Sequence, residues 1–102
     1  MDRVEFLHSI NCPEGTTGLD IIISFFDQYM LLYNMVDNVS QASLVHFVDN
    51  LIIFQMICDS KKSAIDMYNK ILANPSILIY ESVYNVHADI VDDFTINISI
   101  SK

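Results

Sequence analysis

A nearly continuous apolar region, residues 19–58, constrains this fold more than any other feature, because it holds most of the large side chains. Its first part has polar residues at Asp20, Ser24, Asp27 and Asn34, and the series continues at Asn38, with spacings of four, three, seven and four residues. That spacing places side chains on one face of an α-helix. We therefore predict a helix over about 17–37 that is buried around most of its circumference.

The second part of this region follows a short polar link at 37–41 and is equally apolar. With His46 and Asp49 assigned to a polar side, its apolar residues form a wide arc on a helix. Ser40 has a side chain that commonly caps a helix N-terminus. We therefore predict a second helix over about 41–58, joined to the first as a helical hairpin.

The N-terminal segment 4–10 has a different period, since apolar residues and His8 occupy every second position. Alternation of this kind is typical of a half-buried strand. Pro13 and Gly15 follow within a few residues and would end the strand. We predict an N-terminal strand here.

A third helix is predicted over about 60–73. Apolar residues recur there at helical spacing on one side, with Lys and Asp on the other. Ser60 can begin this helix, and Pro75 disfavours α-helical geometry at Asn74, so the helix should stop just before it.

The C-terminal segment 94–100 alternates Phe and Ile with Thr, Asn and Ser, and we predict that it forms an antiparallel β-hairpin with 77–90. A three-residue loop at 91–93 lets residues of the same face pair, whereas a two-residue loop would oppose apolar to polar side chains. The predicted pairs are Phe94 with Ile90, Ile96 with Ala88, Ile98 with Val86, and Ile100 with Tyr84. The predicted outer face carries Asn85, His87, Asp89, Thr95, Asn97 and Ser99.

These elements predict an α+β fold: an N-terminal strand, three helices and a C-terminal antiparallel hairpin, with the helices on one face of a small sheet. The 102 residues fit the usual size of one domain, so we predict a single domain over 1–102. Whether the first strand joins the hairpin is left open by the pattern.

The net charge and the apolar content limit the classes of partner that the chain can bind. Thirteen acidic and five basic residues give a net charge of −8, which disfavours nucleic acid and anionic membrane surfaces and favours a basic protein. The sequence has neither the roughly 20 uninterrupted apolar residues of a membrane span nor a signal-peptide pattern, so we expect a cytoplasmic protein. Cys12 and Cys58 then fit reduced thiols.

The chain is rich in Met and Phe, with five and six residues respectively. Such side chains on a helical surface would favour a homodimer or a partner groove. A well-filled core in a monomer explains the same composition equally well.

Three pairs of residues have the donor atoms of a metal site or an acid/base pair. No pair has the third ligand or the nucleophile that such a site needs, so we predict no catalysis, metal or cofactor. The pairs are His87 with Asp89 on a strand, His46 with Asp49 on a helix, and His8 with Cys12.

Carboxylates are densest in the loop of the predicted C-terminal hairpin. Two more, Asp20 and Asp27, lie along the polar face of the first predicted helix. Exposed carboxylates bind Lys and Arg side chains, or only keep a protein in solution. The function that we expect is protein binding, as an inhibitor of the immunity-protein or antitoxin type that blocks a basic enzyme such as a nuclease. The alternative is a homodimeric adaptor or a module similar to a secretion chaperone. The predicted partner-binding residues are Glu81, His87, Asp89, Asp92, Asp93, Asp20 and Asp27.

Overall fold

The computed structural model describes residues 1–13, 15–48 and 50–102 as two layers, with helices on one face of a five-stranded antiparallel sheet. In chain order the elements are α1 (Arg3–Ile10), α2 (Thr17–Phe25), a π-helical turn (Phe26–Leu31), a 3-10 turn (Val36–Asn38), β1 (Val39–Val48), β2 (Leu51–Cys58), α3 (Lys61–Ala73), β3 (Ser76–Ile79), β4 (Ser82–Ile90) and β5 (Thr95–Ser101). The strand order is β1-β2-β5-β4-β3, so β1 and β3 form the two edges. The predicted α+β class is confirmed.

The N-terminal segment is a helix, α1, so the predicted strand is wrong. The Asp2 carboxylate caps this helix by accepting a hydrogen bond from the Glu5 backbone N–H at 2.9 Å. Asn11 ends it in the left-handed conformation, with a φ of 55°. Phe6 and Ile10 are buried one helical turn apart, a spacing that an alternating strand also produces. The caps therefore distinguish two structures that share the same buried residues.

The first predicted helix is confirmed over 17–31 but ends before residue 37. It passes from α2 into the π-helical turn, after which the Met35 N–H donates to the Met30 C=O at 2.8 Å. Asn34 has a φ of 56°, and the left-handed region cannot continue a right-handed helix. This residue therefore separates the helix from the chain that leads into β1.

The second predicted helix is wrong, because residues 39–58 form a β-hairpin of β1 and β2. Asn50, in the two-residue connection between them, has a φ of 62°, and such tight connections require positive φ values that Asn tolerates. Ser40, predicted to cap a helix, lies in β1, and its hydroxyl donates to the Ile57 C=O at 3.1 Å. Burial alternates along β2, and its buried residues are Ile52, Phe54, Met56 and Cys58.

The third predicted helix is confirmed as α3. The Ser60 hydroxyl caps it by accepting a hydrogen bond from the Ser63 N–H at 3.1 Å. The helix stops at Ala73, and Asn74 leaves helical geometry with φ −136° and ψ 77°, as a residue before proline favours. The buried side chains of α3 are Ser63, Ala64, Met67 and Ile71.

The C-terminal hairpin is confirmed, but its register and length are different. Its inner face is as predicted for Val86, Ala88, Ile96, Ile98 and Ile100, whereas Phe94 and Ile90 are exposed and Thr95, predicted on the outer face, is buried. The segment predicted as one strand over 77–90 is divided into β3 and β4, which adds a strand to the sheet. The loop lies at 92–94 because the Val91 N–H donates to the Thr95 C=O at 2.9 Å. The resulting shift of two residues preserves the faces, since the strand period is two. The observed pairs are Ile90 with Ile96, Ala88 with Ile98, and Val86 with Ile100.

The core lies between the helices and the inner face of the sheet and is centred on an aromatic cluster. The Phe54 ring lies 5.9 Å from the Phe6 ring and 5.0 Å from the Phe25 ring, edge to face in both cases. Most of the Met and Phe side chains on which the predicted homodimer surface depended fill this core instead, and Phe47 is half-buried beside it. Those buried here are Phe6, Phe25, Phe26, Phe54, Met30, Met35, Met56 and Met67.

The burial of two weakly acidic side chains, Tyr29 and Cys58, leads us to predict a loss of stability at alkaline pH. Burial raises the pKa of Tyr29 to about 12, with a contribution from Tyr33, and burial together with the Asp59 charge raises the pKa of Cys58 to about 11. Their usual values are 10.0 and 9.0, so the unfolded chain releases these protons at a lower pH than the folded chain. Stability from these groups should be complete below about pH 9 and should fall between about pH 9 and 12.

Urea unfolding followed at pH 8 and at pH 11 measures this effect. We expect a lower midpoint at pH 11, and a smaller pH dependence in the Tyr29→Phe variant, which cannot ionise at that position. A midpoint equal at both pH values would contradict the burial of these two groups.

Candidate functional site

The predicted partner-binding residues do not form one surface. His87, Asp89, Asp92 and Asp93 lie together, at the end of β4 and in the loop to β5. Glu81 precedes β4, and the nine residues of that strand place it roughly 25–30 Å from the loop. The structure therefore brings four of the seven residues together and places Glu81 at the opposite end of the sheet.

Asp20 and Asp27 lie in the helical layer, where both are half-buried. Asp27 Oδ2 accepts a hydrogen bond from Arg3 Nη2 at 3.4 Å, which links the π-helical turn to α1. Asp27 Oδ1 is shielded from solvent and has no hydrogen-bond partner among the residues that the structure describes. Asp27 therefore belongs to a contact between helices, separate from the loop after β4.

The sheet topology brings two further aspartates, Asp37 and Asp59, to the end that carries this loop. β1 and β5 begin there and β2 and β4 end there, because neighbouring strands are antiparallel. The Asp59 N–H donates to the Asn38 C=O at 2.9 Å, and the Cys58 N–H donates to the Phe94 C=O at 2.7 Å. We name this region the acidic end, and it consists of Asp37, Asp59, Asp89, Asp92 and Asp93.

Asp92 is held in a turn that keeps its carboxylate ionised. The Phe94 N–H donates to Asp92 Oδ1 at 2.9 Å, and this hydrogen bond, with a weaker contribution from the Thr95 side chain, lowers the pKa of Asp92. Asp93 Oδ1 lies 3.9 Å from Lys61 Nζ, but their side chains are 69% and 67% exposed. A pair so exposed contributes little energy, so Asp93 stays accessible to another cation.

Exposed apolar side chains adjoin these carboxylates. Ile90, Val91 and Phe94 are 47%, 53% and 47% exposed. The predicted register had paired Phe94 with Ile90 on the buried face. In the structure Phe94 lies in the loop and Ile90 is the last residue of β4, and both are exposed. An apolar patch beside charged groups is typical of surfaces that bind proteins. The acidic end therefore combines charge with an apolar contact area.

Sequence analysis did not identify Asp37 and Asp59 as site residues. If 41–58 were a helix, its 18 residues would hold these two carboxylates about 27 Å apart. In the β1–β2 hairpin the same residues lie at one end of the sheet. The sequence signal was the Asp49–Asn50 pair between two runs rich in Val, Ile and Phe, a composition typical of a two-residue β-turn.

His87 and Asp89 form a pair on the open face of the sheet, with 3.2 Å between His87 Nε2 and Asp89 Oδ1. Ser99 lies opposite His87 in the β4–β5 ladder, but no hydrogen bond joins the Ser99 hydroxyl to the imidazole in the described structure. The side chains of the pair are about two-thirds exposed. The arrangement is a solvated surface pair.

No group of three or more potential metal ligands occurs within residues 1–13, 15–48 and 50–102. Cys12 and Cys58 are free, buried thiols, so the His8–Cys12 pair considered from the sequence forms no accessible site. Asp49 lies outside the described residues, and the predicted His46–Asp49 pair lies outside them with it.

An open cleft of about 360 Å³ lies at the N-terminus of α2, far from the acidic end. The Phe47 ring forms one wall and lies against Gly18, where a Cβ atom would overlap the ring. The described lining residues carry no charged side chain, so the cleft offers little to fix a charged ligand. They are Gly15, Thr16, Thr17, Phe47 and Asn50.

The helices in the described part of the chain are too short or too polar to cross a membrane.

Among the surfaces described above, the acidic end and its apolar neighbours are the best candidate functional surface. Comparisons of this chain with protein-family models, curated proteins and solved structures found no match.

Proposed function

We propose that this protein binds a basic protein through its acidic end and acts as an inhibitor of the immunity-protein or antitoxin type. The observation that carries this proposal is the convergence of five aspartates on one end of the sheet, beside the exposed Ile90, Val91 and Phe94. The net charge of −8 adds to the field at this end. A surface of this kind attracts Lys and Arg side chains from a distance and then offers an apolar contact.

The partner that fits this surface best is a basic enzyme such as a nuclease. The active cleft of such an enzyme binds phosphates with Lys and Arg side chains, and carboxylates can occupy the same positions. Complementary charge raises the association rate and excludes acidic competitors. The apolar side chains would supply contacts that persist when salt screens the charges.

Binding rather than catalysis is the activity that we propose, without a cofactor or a metal. A cytoplasmic location is part of the proposal, and the buried free thiols Cys12 and Cys58 support a reducing compartment. The alternative is a homodimeric adaptor or a module similar to a secretion chaperone, and it is less favoured because most of the Met and Phe side chains on which it depended lie in the core.

Affinity capture from an extract of the native source tests the proposal. The tagged protein is used as bait at about 0.1 M and about 1 M salt. We expect a basic protein to be captured at low salt and to be lost or slowed at high salt. The captured protein should be an enzyme whose activity falls when the purified inhibitor is added.

Capture of partners that are acidic or neutral, with no dependence on salt, would contradict an electrostatic inhibitor. A basic partner whose activity is unaffected by the added protein would contradict inhibition while leaving binding at the acidic end intact.

A further inference from the structure

The two layers of the molecule differ in their basic side chains. All five Lys and Arg residues lie in the described part of the chain, and four belong to the helical layer: Arg3, Lys61, Lys62 and Lys70. The fifth, Lys102, follows β5, and its Nζ lies 5.9 Å from the centre of the ring of Tyr84, a buried side chain of the covered face. The open face of the sheet therefore has no Lys or Arg side chain.

The open face of β4 adjoins the acidic end. Its side chains alternate with the buried ones, and Asn85, His87 and Asp89 are all exposed. Asp89 is also part of the acidic end, so the two surfaces are continuous. On the opposite face of β4 packs α3, whose exposed Lys61 and Lys62 lie beside the same end. Two surfaces thus adjoin the acidic end, one without basic side chains and one with them.

The acidic end alone is too small for a complete interface. Together with the exposed Ile90, Val91 and Phe94 it has eight residues. A stable interface takes about 20–30 residues from each partner, so a bound protein also contacts a neighbouring surface. Lys61 and Lys62 repel a basic partner, because like charges that meet at an interface oppose binding. The open face has no such repulsion.

The open face also has the size and the apolar contacts that an interface needs. Its side chains form three cross-strand rows over β4, β5 and β2: Asn85–Ser101–Leu51, His87–Ser99–Ile53 and Asp89–Asn97–Gln55. The apolar side chains of β2 on this face, which are Leu51, Ile53 and Ile57, are half-buried. With the open side of β1, these rows bring the surface to about 20 residues, as a stable interface requires.

We propose that the basic partner lies across the open face of the sheet, from the acidic end to Asn85, and leaves α3 uncovered. An interface of usual size has about 800 Å² on each partner and is roughly 30 Å across. The distance along β4 from the loop to Asn85 is roughly 25 Å, so one partner can cover both. This inference rests on the proposed function, because it gives the orientation of the same partner.

A peptide probe tests the charge difference between the two faces without the native partner. Nona-arginine spans roughly 30 Å when extended, so a peptide held at the acidic end can reach Asn85. The side-chain amide signals of Asn85 and Asn69 report on the open face and on the exposed side of α3 respectively. In a nuclear magnetic resonance titration at low salt, we expect larger shifts at Asn85. Equal or larger shifts at Asn69 would overturn the proposed orientation.

Two variants with the same substitution test the orientation with the basic enzyme that affinity capture identifies. Asn85→Lys and Asn69→Lys each add one positive charge at an exposed position, on the open face and on α3. Asn85→Lys should weaken binding about tenfold, because the new charge faces the basic partner. Asn69→Lys should stay within about twofold of the native affinity, since salt screens a charge outside the interface. Asn85→Asp should bind at least as tightly as the native chain.

Far-ultraviolet circular dichroism confirms that each variant is folded. A native affinity in Asn85→Lys, or a greater loss in Asn69→Lys, would overturn the orientation while leaving an inhibitor that binds through its acidic end. A captured enzyme whose activity is unaffected would contradict inhibition instead, and the peptide titration would still report which face attracts a basic chain.

Discussion

Replacing Phe54 with alanine should lower the free energy of unfolding by about 3–5 kcal/mol. Phe54 is fully buried and contacts the rings of Phe6 and Phe25, so truncation leaves a cavity where β2 meets both helices. Typical domains of this size have a total stability of only about 5–15 kcal/mol, so this loss is large. Urea denaturation followed by circular dichroism measures it.

The control is Ile53→Ala, one residue earlier in β2. Ile53 is half-buried on the open face of the sheet, so we expect a loss of only about 1 kcal/mol. The difference between the two losses tests whether only one face of β2 is covered. Equal losses at Phe54 and Ile53 would mean that the outer face is also covered.

The double variant Asp92→Asn, Asp93→Asn should bind the basic partner roughly ten- to hundred-fold more weakly for each charge-assisted hydrogen bond that the substitutions remove. Both carboxylates are exposed at the tip of the β4–β5 hairpin, and such a hydrogen bond contributes about 1.5–3 kcal/mol. The stability of the fold should change little, because the only salt bridge described there is the exposed Lys61–Asp93 pair. Titration at low salt with the captured partner measures the dissociation constant.

The matched control is Asp66→Asn with Glu81→Gln, which removes the same two charges from exposed positions outside the acidic end. This variant should keep most of the native affinity, since it changes the net charge but not the contact surface. An unchanged dissociation constant for the Asp92 and Asp93 variant would remove the hairpin tip from the interface. Equal losses in both variants would mean that net charge alone drives binding.

The elements that the sequence predicted correctly are those whose local signals agree with one another. In α3, the Ser60 cap, the helical spacing and Pro75 all point to the same boundaries, and the structure has them. In β5 the strict alternation of Ile with polar residues determined which face is buried. The register was less certain, because a slip of two residues leaves every side chain on the same face.

The errors occurred where one pattern of apolar residues fits two structures. Phe6 and Ile10 fit a helix and a strand equally, and the Asp2 and Asn11 caps decide for α1. In 39–58, 13 of 20 residues are apolar and they fit a wide helical arc as well as two strands, so periodicity did not separate the two structures. The left-handed Asn50 and the partners available on β5 decide for a hairpin.

The sequence by itself determined the net charge, the α+β class, the third helix and the hairpin that carries Asp92 and Asp93. Only the tertiary structure decided that Asp37 and Asp59 join them, and that the Gln28 side chain bonds both backbone groups of Leu78 at the β3 edge. The physical reason is that strand pairing is non-local. Which ends of the strands lie side by side depends on contacts between residues far apart in the sequence.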